Sequence, residues 1–216
     1  MKYILAILLV ATSVSVLAQN DIPCLYADII LLSDFSGSMN SEEPFIAHVA
    51  ETLIEGIPPE QNKIRFGMIS FADSHLVDVY LTHAYDSLWK ITNWYYTRKA
   101  LGFETLIEPA LALAKVLFEQ PVSYARYKIL IIVSDGIWHD EVIALARARE
   151  LSEVYGIALI ALSPALQEAS LQVDVLTPRL PRKVKHEVLS KVSGGAYFFN
   201  NVEALKEEIR KKGLCL

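Results

Sequence analysis

The sequence predicts an α/β fold: a doubly wound, mostly parallel six-stranded sheet with one antiparallel edge strand and helices on both faces. Three observations carry this. Short apolar runs alternate with segments of helical period along the chain. Two of those runs, KILIIVS at 128–134 and the run at 157–163, are apolar almost without interruption, as strands covered on both faces must be. One pair, Ile64–Ala72 and Leu76–Leu81, is separated only by Asp73-Ser74-His75, which is hairpin spacing.

Taken in order, Leu25–Ser33 reads as the first strand, interrupted by Asp28. Phe45, Ile46, Val49, Leu53 and Ile54 fall at helical spacing within Glu43–Glu55, with Ser41 as its expected N-cap and Pro44 in the permissive first turn. The hairpin follows, its second strand patterned as an exposed edge. Asp86–Tyr96 is a short aromatic-rich helix, Leu106–Phe118 a longer one, and Lys128–Ser134 the central strand. Asp140–Tyr155 is helical and stops at Gly156. After the strand Ile157–Ser163, residues 163–181 are irregular and carry prolines at 164, 178 and 181. Helix Val184–Val192, strand Ala196–Phe199 and helix Val202–Lys212 complete the pattern, with Gly213 suited to end the last helix.

The 216 residues are 53% hydrophobic, with a formal charge of −5. That suits one domain and offers no basic surface to nucleic acid. Residues 1–18 read as a cleaved secretory signal: Lys2, an apolar stretch from Ile4 to Leu17, and Val16-Leu17-Ala18 at the expected cut. Residues 19–216 then form a single exported domain, secreted or periplasmic, with no later membrane span. In an oxidising compartment the two cysteines, Cys24 and Cys215, are expected to pair and close nearly the whole domain.

The chemistry gathers where two strands end on a carboxylate. Asp34 ends the first strand and Asp135 ends KILIIVSDG. Ligands of open α/β sheets sit outside the carboxyl ends of the strands, at the point where strand order reverses. Ser36 and Ser38 follow Asp34 at alternate positions and line the same rim. Carboxylates with neutral hydroxyls make an all-oxygen set that suits a hard cation, Mg2+ or Mn2+. Competing sites fail on spacing. A calcium-binding helix–loop–helix would need Gly and Glu where Met39 and Phe45 stand. No phosphate-cradling glycine loop or nucleophile elbow occurs, and the five histidines have no zinc-ligand spacing.

Asp34-Phe35-Ser36-Gly37-Ser38, followed by Met39, resembles the first segment of the metal-ion-dependent adhesion site of von Willebrand factor A domains. Gly102-Phe103-Glu104-Thr105 before Pro109-Ala110-Leu111-Ala112-Leu113-Ala114 is similar to its threonine segment, and Ser134-Asp135-Gly136 to its last. The similarity runs in order along the mature chain, residues 163–181 departing most from the family pattern.

The resemblance implies a Rossmann-like fold, with Asp34, Ser36, Ser38, Thr105 and Asp135 holding Mg2+, or Mn2+ or Ca2+ in its place. An open coordination position would take an Asp or Glu carboxylate from a partner protein. It implies an adhesion or interaction module rather than an enzyme. The alternative is an assembly component of an extracytoplasmic complex whose metal only stabilises loops. Phe35, Met39, Asn40, Phe103, Glu104, Trp138, His139 and Asp140 fall in loops expected to surround the metal and form the partner-binding rim. Trp138 is either an exposed anchor there or packing against a helix. The Trp94-Tyr95-Tyr96 cluster is open to the same two readings.

Overall fold

The computed structural model describes residues 26–56, 63–120, 127–164 and 184–212. The signal segment, both cysteines and residues 165–181 lie outside the described residues. Among the described residues six strands, β1 (Ala27–Asp34), β2 (Ile64–Phe71), β3 (His75–Thr82), β4 (Tyr127–Val133), β5 (Ala158–Ser163) and β6 (Tyr197–Phe199), form one sheet in the order β3-β2-β1-β4-β5-β6. Every pairing is parallel except β2 with β3, the hairpin at the edge. Among the described residues six α-helices flank it: α1 (Glu43–Glu55), α2 (Tyr85–Tyr95), α3 (Glu108–Phe118), α4 (Glu141–Glu153), α5 (His186–Val192) and α6 (Val202–Lys211). The predicted fold class is the one observed.

The central strand shows how the two layers arise. All eight residues of β1 are buried. Successive side chains point to opposite faces, so Ala27, Ile29 and Leu31 join a core with α1, α2 and α6, while Ile30 and Leu32 join one with α3, α4 and α5. Asp28 does not interrupt the strand. Its carboxylate takes two charge-assisted bonds from Arg65 of neighbouring β2, at 2.8 and 2.6 Å, and a buried charge survives when so paired.

Helix starts differ from expectation where the cap comes from elsewhere. Ser41 has φ 84° and does not cap α1, which begins at Glu43 with no side-chain cap bond. α3 begins at Glu108 rather than Leu106, and the Asp140 carboxylate, more than thirty residues on, accepts its first N–H groups. α6 behaves locally: Asn201 accepts the Ala204 N–H.

The strand order places the site. From β1 the chain winds one way to β2 and β3 and the other way to β4, β5 and β6. The reversal lies between β1 and β4, whose pairing runs from Ala27↔Tyr127 to Ser33↔Val133. Asp34 and Asp135 therefore leave the sheet side by side at the switch point.

Candidate metal centre

The first wall is the turn that leaves β1. Asp34, with no exposed surface, accepts the Ser36 N–H at 2.9 Å through Oδ1. One 3-10 turn, Gly37–Met39, then brings the Ser36 and Ser38 hydroxyls to 3.1 Å from each other. At that distance one hydroxyl donates to the other.

The second wall leaves β4. Ser134 Oγ accepts N–H bonds from Gly136 at 3.0 Å and from the Trp138 indole at 2.9 Å. A hydroxyl has two lone pairs and one proton. With both lone pairs taken, the proton goes to Asp34 Oδ2, at 2.6 Å. Asp135 Oδ1 accepts the Ile137 N–H at 2.9 Å, which turns the chain away from the crevice. Gly136 has φ 76°, and a Cβ there would lie 3.0 Å from Leu189 and from the Lys185 carbonyl, so the turn needs glycine.

The third wall is the segment 101–108, tied down on three sides. Leu101 N–H reaches the Phe35 carbonyl, and Ser36 bridges Gly102. Glu104 N–H reaches the Asp73 carboxylate at the hairpin tip, and Leu106 N–H the Ala72 carbonyl. From the loop after Asp135, His139 Nδ1 accepts the Thr105 N–H at 3.0 Å while its own N–H reaches the Thr105 carbonyl. Asp140 accepts from Ile107 at 3.2 Å and Glu108 at 2.7 Å. Thr105 is buried. Its backbone is thus clasped by the loop that Asp135 begins.

Burial and the neighbouring Asp135 charge push the Asp34 carboxyl up to about 7, against the downward pull of the Ser134 and Ser36 hydrogen bonds. Two buried carboxylates close enough to feel each other's charge repel. A divalent cation would relieve that cost, and all of the implied donors are oxygen. No group of three or more His, Cys, Asp or Glu side chains gathers among the described residues. The donor chemistry fits Mg2+ or Mn2+ better than a softer metal.

The rim divides. Phe103, Asn40, Glu104 and His139 are exposed. Phe35, Met39 and Trp138 are buried, and they belong to the core rather than the rim. Phe35 packs edge-on to Tyr95, with the Arg98 guanidinium 4.7 Å from its ring centre. Trp138 faces inward because its indole N–H finds Ser134, so it is not an exposed anchor. Asp140 is half-buried and spends its carboxylate on α3. In the aromatic cluster Tyr95 is buried, while Trp94 and Tyr96 stay exposed.

Sequence reasoning gave no role to Ser134, although it stands in the Ser-Asp-Gly motif. It also missed a buried cluster beneath Phe35: Arg98 pairs with Asp78 at 2.9 Å and donates to Ser70, and Tyr95 and Ser70 both donate to Asp78. No local signal marks those partners.

A family model of the von Willebrand factor type A domain matches residues 28–203. Among solved structures, the chain is similar to an aerotolerance-related membrane protein from Bacteroides fragilis, at 18% identity over 87% of this chain and 98% of that one, TM-score 0.67. It is similar to BatB from Bacteroides thetaiotaomicron, at 18% identity over 86% and 98%, TM-score 0.65. It is also similar to the manganese-loaded TRAP protein of Plasmodium vivax, at 16% identity over 85% and 73%, TM-score 0.68. Identities this low speak to shared fold. No curated protein sequence matches. The matched span runs from β1 into α6 and takes in the switch-point crevice with all three of its walls: the chain belongs to the von Willebrand factor type A domain family.

Proposed function

We propose that the protein is an exported, metal-dependent protein-binding module. Asp34, Ser36, Ser38, Thr105 and Asp135 hold Mg2+, with Mn2+ or Ca2+ as alternatives, and the ion supplies an open position for an Asp or Glu carboxylate of the partner. The observation that carries this reading is the pair of buried aspartates at the switch point, one of them pushed up to about 7. A carboxylate pair built at such a cost has a reason if a cation neutralises it. The manganese-loaded state of the Plasmodium vivax neighbour points the same way.

The chain's own residues orient the site. Ser134 and the Ser36 N–H hold the Asp34 carboxylate, and His139 and Asp140 hold the Thr105 segment. The reading assigns no bond-making step and no catalytic residue. Among the described residues no helix is long and apolar enough to cross a membrane. The reading keeps the signal segment and the Cys24–Cys215 bridge that go with export.

The test is calorimetric titration of EDTA-stripped protein with Mg2+, Mn2+ and Ca2+, followed by partner capture from native extract in Mg2+ and in EDTA. Wild-type protein should bind metal and capture a partner only in its presence, and Asp135→Ala should do neither. A partner retained equally in EDTA and by Asp135→Ala sinks the adhesion reading. Metal that raises stability but leaves capture unchanged selects the assembly role instead.

A further inference from the structure

We propose that Phe103 sets partner choice, and that the partner carries an apolar side chain and a basic side chain within a residue or two of its metal-seeking carboxylate. The proposal rests on the metal-site reading above and adds the chemistry of the ligand.

Phe103 is 91% exposed. A lone exposed apolar side chain is ordinary on a protein surface. This one is different in how its backbone is held. Both residues before it and both after it are bonded to other segments: Leu101 to Phe35, Gly102 to Ser36, Glu104 to Asp73 and Thr105 to His139. A segment so pinned cannot fold the ring back into the core. The ring therefore stays in water on a backbone that is held in place, and an exposed aromatic on a fixed backbone makes an interface anchor at no backbone ordering cost.

Its position ties it to the metal loop. A Cβ placed on Gly37 would lie 3.6 Å from Phe103 Cα and 3.6 Å from a ring carbon. Gly37 is the residue between the Ser36 and Ser38 ligands. The ring thus flanks the Ser36–Ser38 turn, where a carboxylate bound at the crevice would bring its neighbouring residues.

The charge beside the ring is negative. Glu104 follows directly, and the Asp73 carboxylate is held against the Glu104 backbone. Both side chains are exposed. Gly102 keeps that approach open, since any Cβ there would fall 2.3 Å from the Asp73 carboxyl carbon. With Asp34 and Asp135 neutralised by a divalent ion, Asp73 and Glu104 leave this side of the rim acidic. A second acidic residue near the partner's carboxylate would be repelled, and a Lys or Arg there attracted.

Fluorescent peptides test this on Mg2+-loaded protein by anisotropy. GGELKG carries all three features. GGEGKG lacks the apolar group, GGELEG reverses the charge, and GGQLKG removes the carboxylate. GGELKG should bind roughly tenfold more tightly than GGEGKG, the scale of one interface anchor. Phe103→Ala should erase that ratio and Phe103→Leu should keep most of it. Glu104→Lys should reverse the preference for GGELKG over GGELEG. GGQLKG should not bind, nor should any peptide in EDTA.

Equal binding of GGELKG and GGEGKG, a ratio unchanged in Phe103→Ala, or no binding of any peptide overturns the proposal. Mg2+ calorimetry on the same protein separates the failures. If Mg2+ does not bind, the metal reading falls and takes this one with it. If Mg2+ binds and the peptide ratios are flat, only the role of Phe103 falls.

Discussion

Replacing Asp135 by Asn should stabilise the metal-free protein at neutral and higher pH while abolishing its response to Mg2+. Asp34 holds its proton more tightly folded, at about 7, than unfolded, near 3.8. Between those values the folded state carries more protons than the unfolded state, so stability falls as pH rises from about 4 to about 7 and then levels off. At 1.36 kcal/mol for each pH unit between 3.8 and about 7, the loss has a ceiling of about 4 kcal/mol.

Burial is the larger cause and the Asp135 charge the next. Removing that charge therefore returns part of the ceiling, about 1–2 kcal/mol. An Asn at 135 keeps its carbonyl for the Ile137 N–H, so the turn survives. The assay is urea unfolding in EDTA from pH 4 to 9, repeated with Mg2+. The variant should show the shallower pH slope, the higher midpoint at pH 8 and no gain from Mg2+. A metal-free wild type whose stability is flat over this range, or a variant less stable than wild type at pH 8, refutes the reasoning.

Three further perturbations probe the supports of the site. Arg98→Met leaves Asp78 charged and buried, and should cost about 3–5 kcal/mol in denaturant unfolding; a loss under about 1 kcal/mol would mean that the Ser70 and Tyr95 hydroxyls suffice. Asp140→Ala uncaps the Ile107 and Glu108 N–H groups and should cost about 1–2 kcal/mol, with Mg2+ affinity falling as the Thr105 segment loosens. Gly102→Ala drives a Cβ into the Asp73 carboxylate, which is exposed and can swing aside, and should cost about 0.5–1.5 kcal/mol as the Glu104 N–H loses its acceptor. In an Asp73→Ala background the same change should cost much less, so a double-mutant cycle with no coupling would refute that contact.

The parts legible in the sequence were those with a local signature. The strand–helix alternation follows from periodicity, which burial on both faces of a sheet enforces over a few residues. The ends of β1 and β4 on Asp34 and Asp135 were readable for the same reason, because an apolar run that stops on a carboxylate marks the sheet edge. The fold class and the family stand on these features.

The supports of the site were not legible. Asp140 reads as the start of its own helix, yet its carboxylate serves α3, 32 and 33 positions back along the chain. Trp138 reads as a rim aromatic, yet its indole N–H completes the hydroxyl that orients Asp34, itself 100 residues from Ser134. Asp28 reads as an interruption, yet Arg65 makes it a buried strand residue. In each case a polar group buried by the fold must find a partner, and that partner is chosen by proximity in space. Sequence alone determined the kind of sheet and the oxygen-bearing side chains that stand at its switch point. Only the tertiary structure decided which neighbours brace them and which face water, because buried hydrogen bonds between distant segments leave no periodic trace along the chain.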